Sequence, residues 1–88
     1  MYHERFIELN RALGTALALT RIRKGIKQKD LAERLGLTPS YISLIEHGNK
    51  SPTFRTLHRI CFQIGIKDAD ILRLTADILD ERAAIEGR

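Results

Sequence analysis

Leu31 to Gly48 reads LAERLGLTPSYISLIEHG, two short helical runs with almost no chain between them. Leu31, Ala32 and Leu35 fall on one face of the first run, and Ile42 and Ile45 lie three apart on the second. Gly36 and Leu37 alone separate the first run from Thr38 and Pro39, which open a new helix. A threonine oxygen there satisfies a free N–H, and a proline at the first helical position gives up an N–H that has no partner. Glycine at the break takes the left-handed conformation that other residues adopt only at a cost. Two helices joined at about 90–120° by a three- or four-residue turn form a helix-turn-helix. Its crossing needs a small residue (Ala32), its turn a positive-φ residue (Gly36) and its core a plug just after the turn (Leu37). Leu31 and Leu35 must meet Ile42 and Ile45. A plain helical hairpin would want longer apolar stripes and would not need Ala32 and Gly36 at these offsets.

The remaining glycines and caps divide the chain into five helices. The first is expected over about residues 3–24, with Phe6, Leu9, Leu13, Ala16, Leu17 and Thr20 at helical spacing. Gly14 inside it marks a close helix contact, because glycine there costs up to about 1 kcal/mol against alanine. The second covers Gln28 to Leu35, and the third runs from its cap Thr38 to near His47. The fourth runs from its cap Thr53 to about Ile64, with Phe54, Leu57, Ile60, Cys61 and Ile64 inward. Asp68 is expected to cap a fifth helix reaching about Arg82. No run alternates with period two and no Asn-Gly or Asp-Gly hairpin signal occurs, so the fold class is all-α. The 88 residues make one domain, residues 1–84. The closing IEGR matches a common engineered protease site, so residues 85–88 are expected to be a scar or a disordered tail.

Composition narrows the function. One cysteine cannot form an internal disulfide, no apolar run is long enough to span a bilayer, and the start MYHERFIELN lacks the apolar stretch of a secretory signal. A cytoplasmic location is expected. Residues 1–67 hold 12 Lys+Arg against 5 Asp+Glu, and residues 68–88 hold 3 against 6. A basic body with an acidic end fits a polyanion-binding face. His58 and Cys61 stand at i, i+3, but two ligands do not make a zinc site, and Cys61 falls on the inner stripe. No nucleophile–base spacing and no glycine-rich phosphate loop is present, so no enzyme, metal or cofactor is expected.

The segment GIKQKDLAERLGLTPSYISLIEHGNKSPTFRTLHRI resembles the helix-turn-helix of the phage repressor family, also called Cro/C1-type or xenobiotic-response-element. The resemblance spans about residues 13–74. Chain length and terminal helices are also similar to the small dimeric controller proteins of restriction–modification systems. It implies a five-helix lambda-repressor-like domain with helix 3 in the major groove, acting as a homodimeric transcription regulator on an inverted-repeat operator. With Ile42 and Ile45 inward, Thr38, Pro39, Ser40, Ser43 and Leu44 face the bases, His47 follows them, and Tyr41 sits at the edge. None is an Arg, Asn or Gln that would pair bidentately with a base. That departs from relatives whose recognition helices begin with glutamines or arginine, and it puts the expected specificity largely in DNA shape.

By the same resemblance Gln28 meets the phosphate backbone, flanked by Lys27 and Lys29. Lys27 stands where the family usually has serine, so helix 2 loses a cap and gains a charge. Tyr41, Asn49, Lys50, Ser51, Thr53 and Arg55 complete an expected phosphate cradle. Arg21 and Glu46 match positions that often join the first helix to the end of the recognition helix. Helix 5 carries one stripe of Ile71, Leu74, Thr75 and Ile78 and a second of Leu72 and Leu79. With Phe62, that surplus is the expected dimer surface. RNA polymerase is a further expected partner, blocked by the dimer or touched through the acidic segment around Asp77, Asp80 and Glu81. The alternative is an antitoxin or protein-interaction module that retains the fold.

Overall fold

The computed structural model describes residues 2–87, and side chains from residue 5 onward. Its elements are α1 (Tyr2–Arg23), α2 (Gln28–Leu35), α3 (Pro39–Glu46), α4 (Phe54–Ile64) and α5 (Asp68–Ile85), with no strand among the described residues. No helix among them is long and apolar enough to cross a membrane.

The break at Gly36 has the expected geometry. Gly36 sits at φ 69°, its N–H donates to Glu33 O at 3.2 Å, and the Leu37 N–H donates to Ala32 O at 2.9 Å. This paired closure satisfies the last carbonyls of α2 and turns the chain at once. Leu37 then packs half-buried on the core. Thr38, extended at ψ 151°, accepts the Tyr41 N–H at 3.1 Å and starts α3 with Pro39 at its head. Leu31, Ala32, Leu35, Ile42 and Ile45 are all buried in one cluster with Ala16, Leu17, the inner face of α4 and Ile71. Each large aliphatic side chain buried this way contributes about 1.5–3 kcal/mol.

Gly14 does mark a close contact. A Cβ built there would lie 2.4 Å from Ile45 O and 2.5 Å from Glu46 O. The backbone of α1 therefore rests directly on the last turn of α3.

Some expectations fail. Phe6, Leu9 and Phe54 are exposed rather than inward. The α1 core residues begin at Ala12, and Phe6 and Leu9 lie one to two turns before it. Phe54 occupies the first turn of α4, where helical side chains lean back past the helix start. Asp68 is not the cap of α5. Lys67 holds that position without a side-chain cap bond, and the Asp68 carboxylate instead lies 2.6 Å from His58 Nδ1. Helix α5 also runs past Arg82 to Ile85. Cys61 is buried in the core, and burial, then the Asp68 carboxylate, pushes its thiol up to about 12. It stays protonated, as a small apolar core residue does.

Candidate nucleic-acid interface

Helix α3 is fixed from three sides. Its inner face is anchored by Ile42 and Ile45. Its last turn lies against Gly14 of α1. Its end is held by the expected ion pair: Arg21 Nε donates to Glu46 Oε2 at 2.6 Å and the guanidinium makes a second bond to Oε1 at 3.0 Å. The third arm of Arg21 donates to Ile26 O at 2.6 Å, which ties in the chain ahead of α2. The Arg21 and Glu46 side chains are only 11% and 6% exposed, and no buried side-chain polar atom among the described residues lacks a partner. A two-point guanidinium–carboxylate pair sets an angle as well as a distance.

The outer face of α3 is open. Thr38, Pro39, Ser40 and Leu44 are exposed and Ser43 is half-exposed. Tyr41 is half-buried at the edge, with Lys50 Nζ 5.6 Å from its ring centre. That contact is worth about 0.5–1 kcal/mol and draws the following loop toward the head of α3. His47 ends the helix with its ring folded back, Nδ1 lying 2.8 Å from Ser43 O. Two serines and a leucine remain as outward groups along the helix, with Thr38 and Pro39 at its head.

Beyond α3, Asn49, Lys50, Ser51, Thr53 and Arg55 are all exposed. Thr53 caps α4 by accepting the Thr56 N–H at 3.1 Å. The start of α4 thus combines a helix N-terminus, small donors and two cations, a combination that favours an anion. At the start of α2, Lys27 holds the cap position with no side-chain cap bond, so the first N–H groups there have no internal side-chain acceptor. Lys27 and Lys29 are exposed. Gln28, half-buried at the head of α2, also has a partner inside the chain. Its amide nitrogen donates to Glu46 Oε1 at 2.7 Å, which joins α2 to the Arg21–Glu46 pair.

The expected dimer residues are split apart. Ile71 and Thr75 are buried inside the chain, and the Thr75 hydroxyl donates to Ile71 O at 2.7 Å, so neither can meet a partner. Helix α5 packs mainly along α1 and also on α4, and Ile71 joins the common core. Leu74 and Ile78 pack half-buried on the core, and Leu79 is half-buried. Leu72 and Phe62 are exposed but on different surfaces. Phe62 sits beside Leu35, His58 and Arg59 at a depression of about 270 Å³, while Leu72 lines a groove with Phe6, Leu9 and Phe54.

Several contacts escaped the sequence reading. Arg59 donates to Leu35 O at 2.7 Å, placing a cation on the carbonyl end of α2. Arg82 reaches Thr15 Oγ1 at 2.9 Å and staples α5 to α1. An arginine on an outer face gives no sign in sequence of which distant acceptor it will find. No group of three or more His, Cys, Asp or Glu among the described residues is placed to hold a metal.

The helix-turn-helix family model HTH_3 matches residues 17–71. The ImmF control region 10 kDa protein of Bacillus phage phi105 is 36% identical over 63 residues, covering 72% of this chain and 69% of that protein. The clp gene regulator ClgR from Corynebacterium glutamicum matches with a TM-score of 0.88 and 35% identity, over 90% of this chain and 84% of that one. The restriction–modification controller protein C.Esp1396I, solved as a tetramer in complex with its natural 35 base-pair operator, matches with a TM-score of 0.73 and 25% identity, over 81% of this chain and 93% of that one. The likeness to phage control and controller proteins read from the sequence is therefore present in both sequence and fold.

Proposed function

This chain belongs to the helix-turn-helix family HTH_3, and from that premise we propose that it is a DNA-binding transcription regulator that sits on an inverted-repeat operator as a homodimer, α3 lying in the major groove. One observation carries the reading: α3 is locked on its inner side by Ile42, Ile45 and the Arg21–Glu46 pair, while its outer side presents only exposed or half-exposed residues. A helix held this firmly and left uncovered is built to enter something. The exposed Lys27, Lys29, Lys50 and Arg55 flank it, and the two helix starts beside them suit phosphates. The Cro/C1-type resemblance and the operator complex of C.Esp1396I support the same partner.

With Thr38, Pro39, Ser40, Ser43 and Leu44 against the bases, direct readout is sparse. The serines accept or donate without discriminating strongly, and Leu44 suits a thymine methyl. Affinity rests mainly on phosphate contacts, and specificity largely on the shape of the duplex. Such a dimer acts at a promoter by occluding RNA polymerase or by touching it from an adjacent site, in the manner of a phage-type repressor or a controller. It works in the cytoplasm, on the nucleoid.

The test is binding to a duplex at two salt concentrations. The wild-type protein should show a steep fall in affinity with salt. Lys50→Ala and Arg55→Ala should each weaken binding on all sequences and lower the salt slope by about 1 per site. Binding that ignores both salt and these substitutions would refute the reading.

A further inference from the structure

A groove of about 410 Å³ runs between the first half of α1, the segment leading into α4, and α5. Phe6, Leu9, Pro52, Phe54 and Leu72 form its walls, with Leu13 and Leu57 below them. None of its eleven lining residues carries a charge, in a chain that is 30% charged. Phe54 stands at the rim, 87% exposed, and Phe6, Leu9 and Leu72 are each nearly half-exposed. Four large apolar side chains in water around one uncharged hollow mark a surface that is covered when the protein works.

The shape and position of the hollow say what covers it. A two-fold interface uses the same patch on both copies, so any knob and the hole it fills must lie side by side on one chain. Phe54 and the groove beside it meet that demand. Ser51, Pro52 and Thr53 belong at once to the groove wall and to the segment that carries the phosphate-facing groups. A two-fold axis at this spot therefore sets two cradles, and the two α3 helices ahead of them, side by side. An uncharged seam also avoids pressing together two bodies that each hold 12 Lys+Arg against 5 Asp+Glu over residues 1–67.

We propose that a second copy of this chain fills the groove, the Phe54 ring of each copy seated among Phe6, Leu9 and Leu72 of the other. This rests on the dimeric operator-binding reading; of the α5 residues expected at the joining surface it keeps Leu72 and drops the buried Ile71 and Thr75. Phe62, on the far depression beside Arg59, takes no part.

The experiment is sedimentation equilibrium of the full chain, wild type against Phe54→Asp, with the milder Phe54→Ser and with Phe62→Asp as controls. Both phenylalanines are exposed, so each variant should keep its helical circular dichroism. Wild type and Phe62→Asp should be dimers. Phe54→Asp should raise the dimer dissociation constant by about 100-fold or more, as loss of a central interface aromatic does. On an inverted repeat it should lose cooperative occupancy while keeping weak, salt-sensitive binding. A dimeric wild type that Phe54→Asp leaves intact overturns the groove and spares the dimer. So does dissociation by Phe62→Asp instead. A monomeric wild type overturns both, and uptake of an apolar dye that requires Phe54 would then assign the groove to a small apolar ligand.

Discussion

Gly14→Ala tests the placement of α3 with a single methyl group. The added Cβ would sit 2.4 Å from Ile45 O, 2.5 Å from Glu46 O and 2.8 Å from Glu46 C. Ordinary contact begins near 3.5 Å, so the overlap is roughly 1 Å. All three atoms are backbone, so no rotamer can relieve it and α1 must separate from the last turn of α3. Alanine gains up to about 1 kcal/mol in helix propensity over glycine. Forcing a methyl into a packed contact costs about 1–3 kcal/mol, and loss of good Arg21–Glu46 geometry adds to that. The expected net is a loss of about 1–2 kcal/mol, or roughly 5–15 °C in Tm for a domain of this size. Thermal melts at one fixed protein concentration measure it. Ala76→Gly, on an exposed part of α5, calibrates the propensity term in the same protein. Duplex affinity should fall as well, because the displaced element is the proposed reading helix. A Gly14→Ala protein that melts higher by about the propensity gain would refute the contact.

Three further outcomes follow from the same geometry. Glu46→Ala leaves the buried Arg21 guanidinium unpaired and should cost about 3–5 kcal/mol in urea unfolding, with Gln28→Ala coupled to it by more than 0.5 kcal/mol or so in a double-mutant cycle. The Cys61 thiol is raised from 9.0 to about 12 by burial and Asp68, so above pH 9 the unfolded chain releases a proton that the folded one keeps. Its contribution is full below pH 9 and declines as pH rises toward 12, and Cys61→Ala should flatten that decline in a series of chemical melts. Changing operator base pairs midway between half-sites, outside the proposed base contacts, should shift affinity by more than a few tenths of a kcal/mol; unchanged affinity would remove shape readout.

What was legible in the sequence follows physical lines. The turn at Gly36 is local: sterics at one residue and the offsets of six neighbours determine it, and each of them stands where the spacing put it. Gly14 was legible because a mid-helix glycine needs a reason. Phe6, Leu9 and Phe54 were not, since helical spacing gives the angle around the axis but not where along it the core stops. Residues one turn beyond the core share its angle and still face water. On α5 two apolar stripes compete, and only the way the helix docks on α1 and α4 decides that Ile71 and Thr75 go inside. Asp68 lies one residue past the cap, where a carboxylate still favours the helix start, so its residue type alone did not separate the two positions. The bond from Gln28 to Glu46 was not legible either, because its acceptor lies 18 residues away.

In the proposed complex a dimer presents its two α3 helices to a two-fold DNA site. Selection from random duplexes at near-physiological salt, followed by sequencing of the bound pool, tests it most directly. The bound pool should hold an inverted repeat with half-sites centred about 34–36 Å apart, one helical turn of the duplex. A pool with no consensus, or a single unrepeated site, would contradict it.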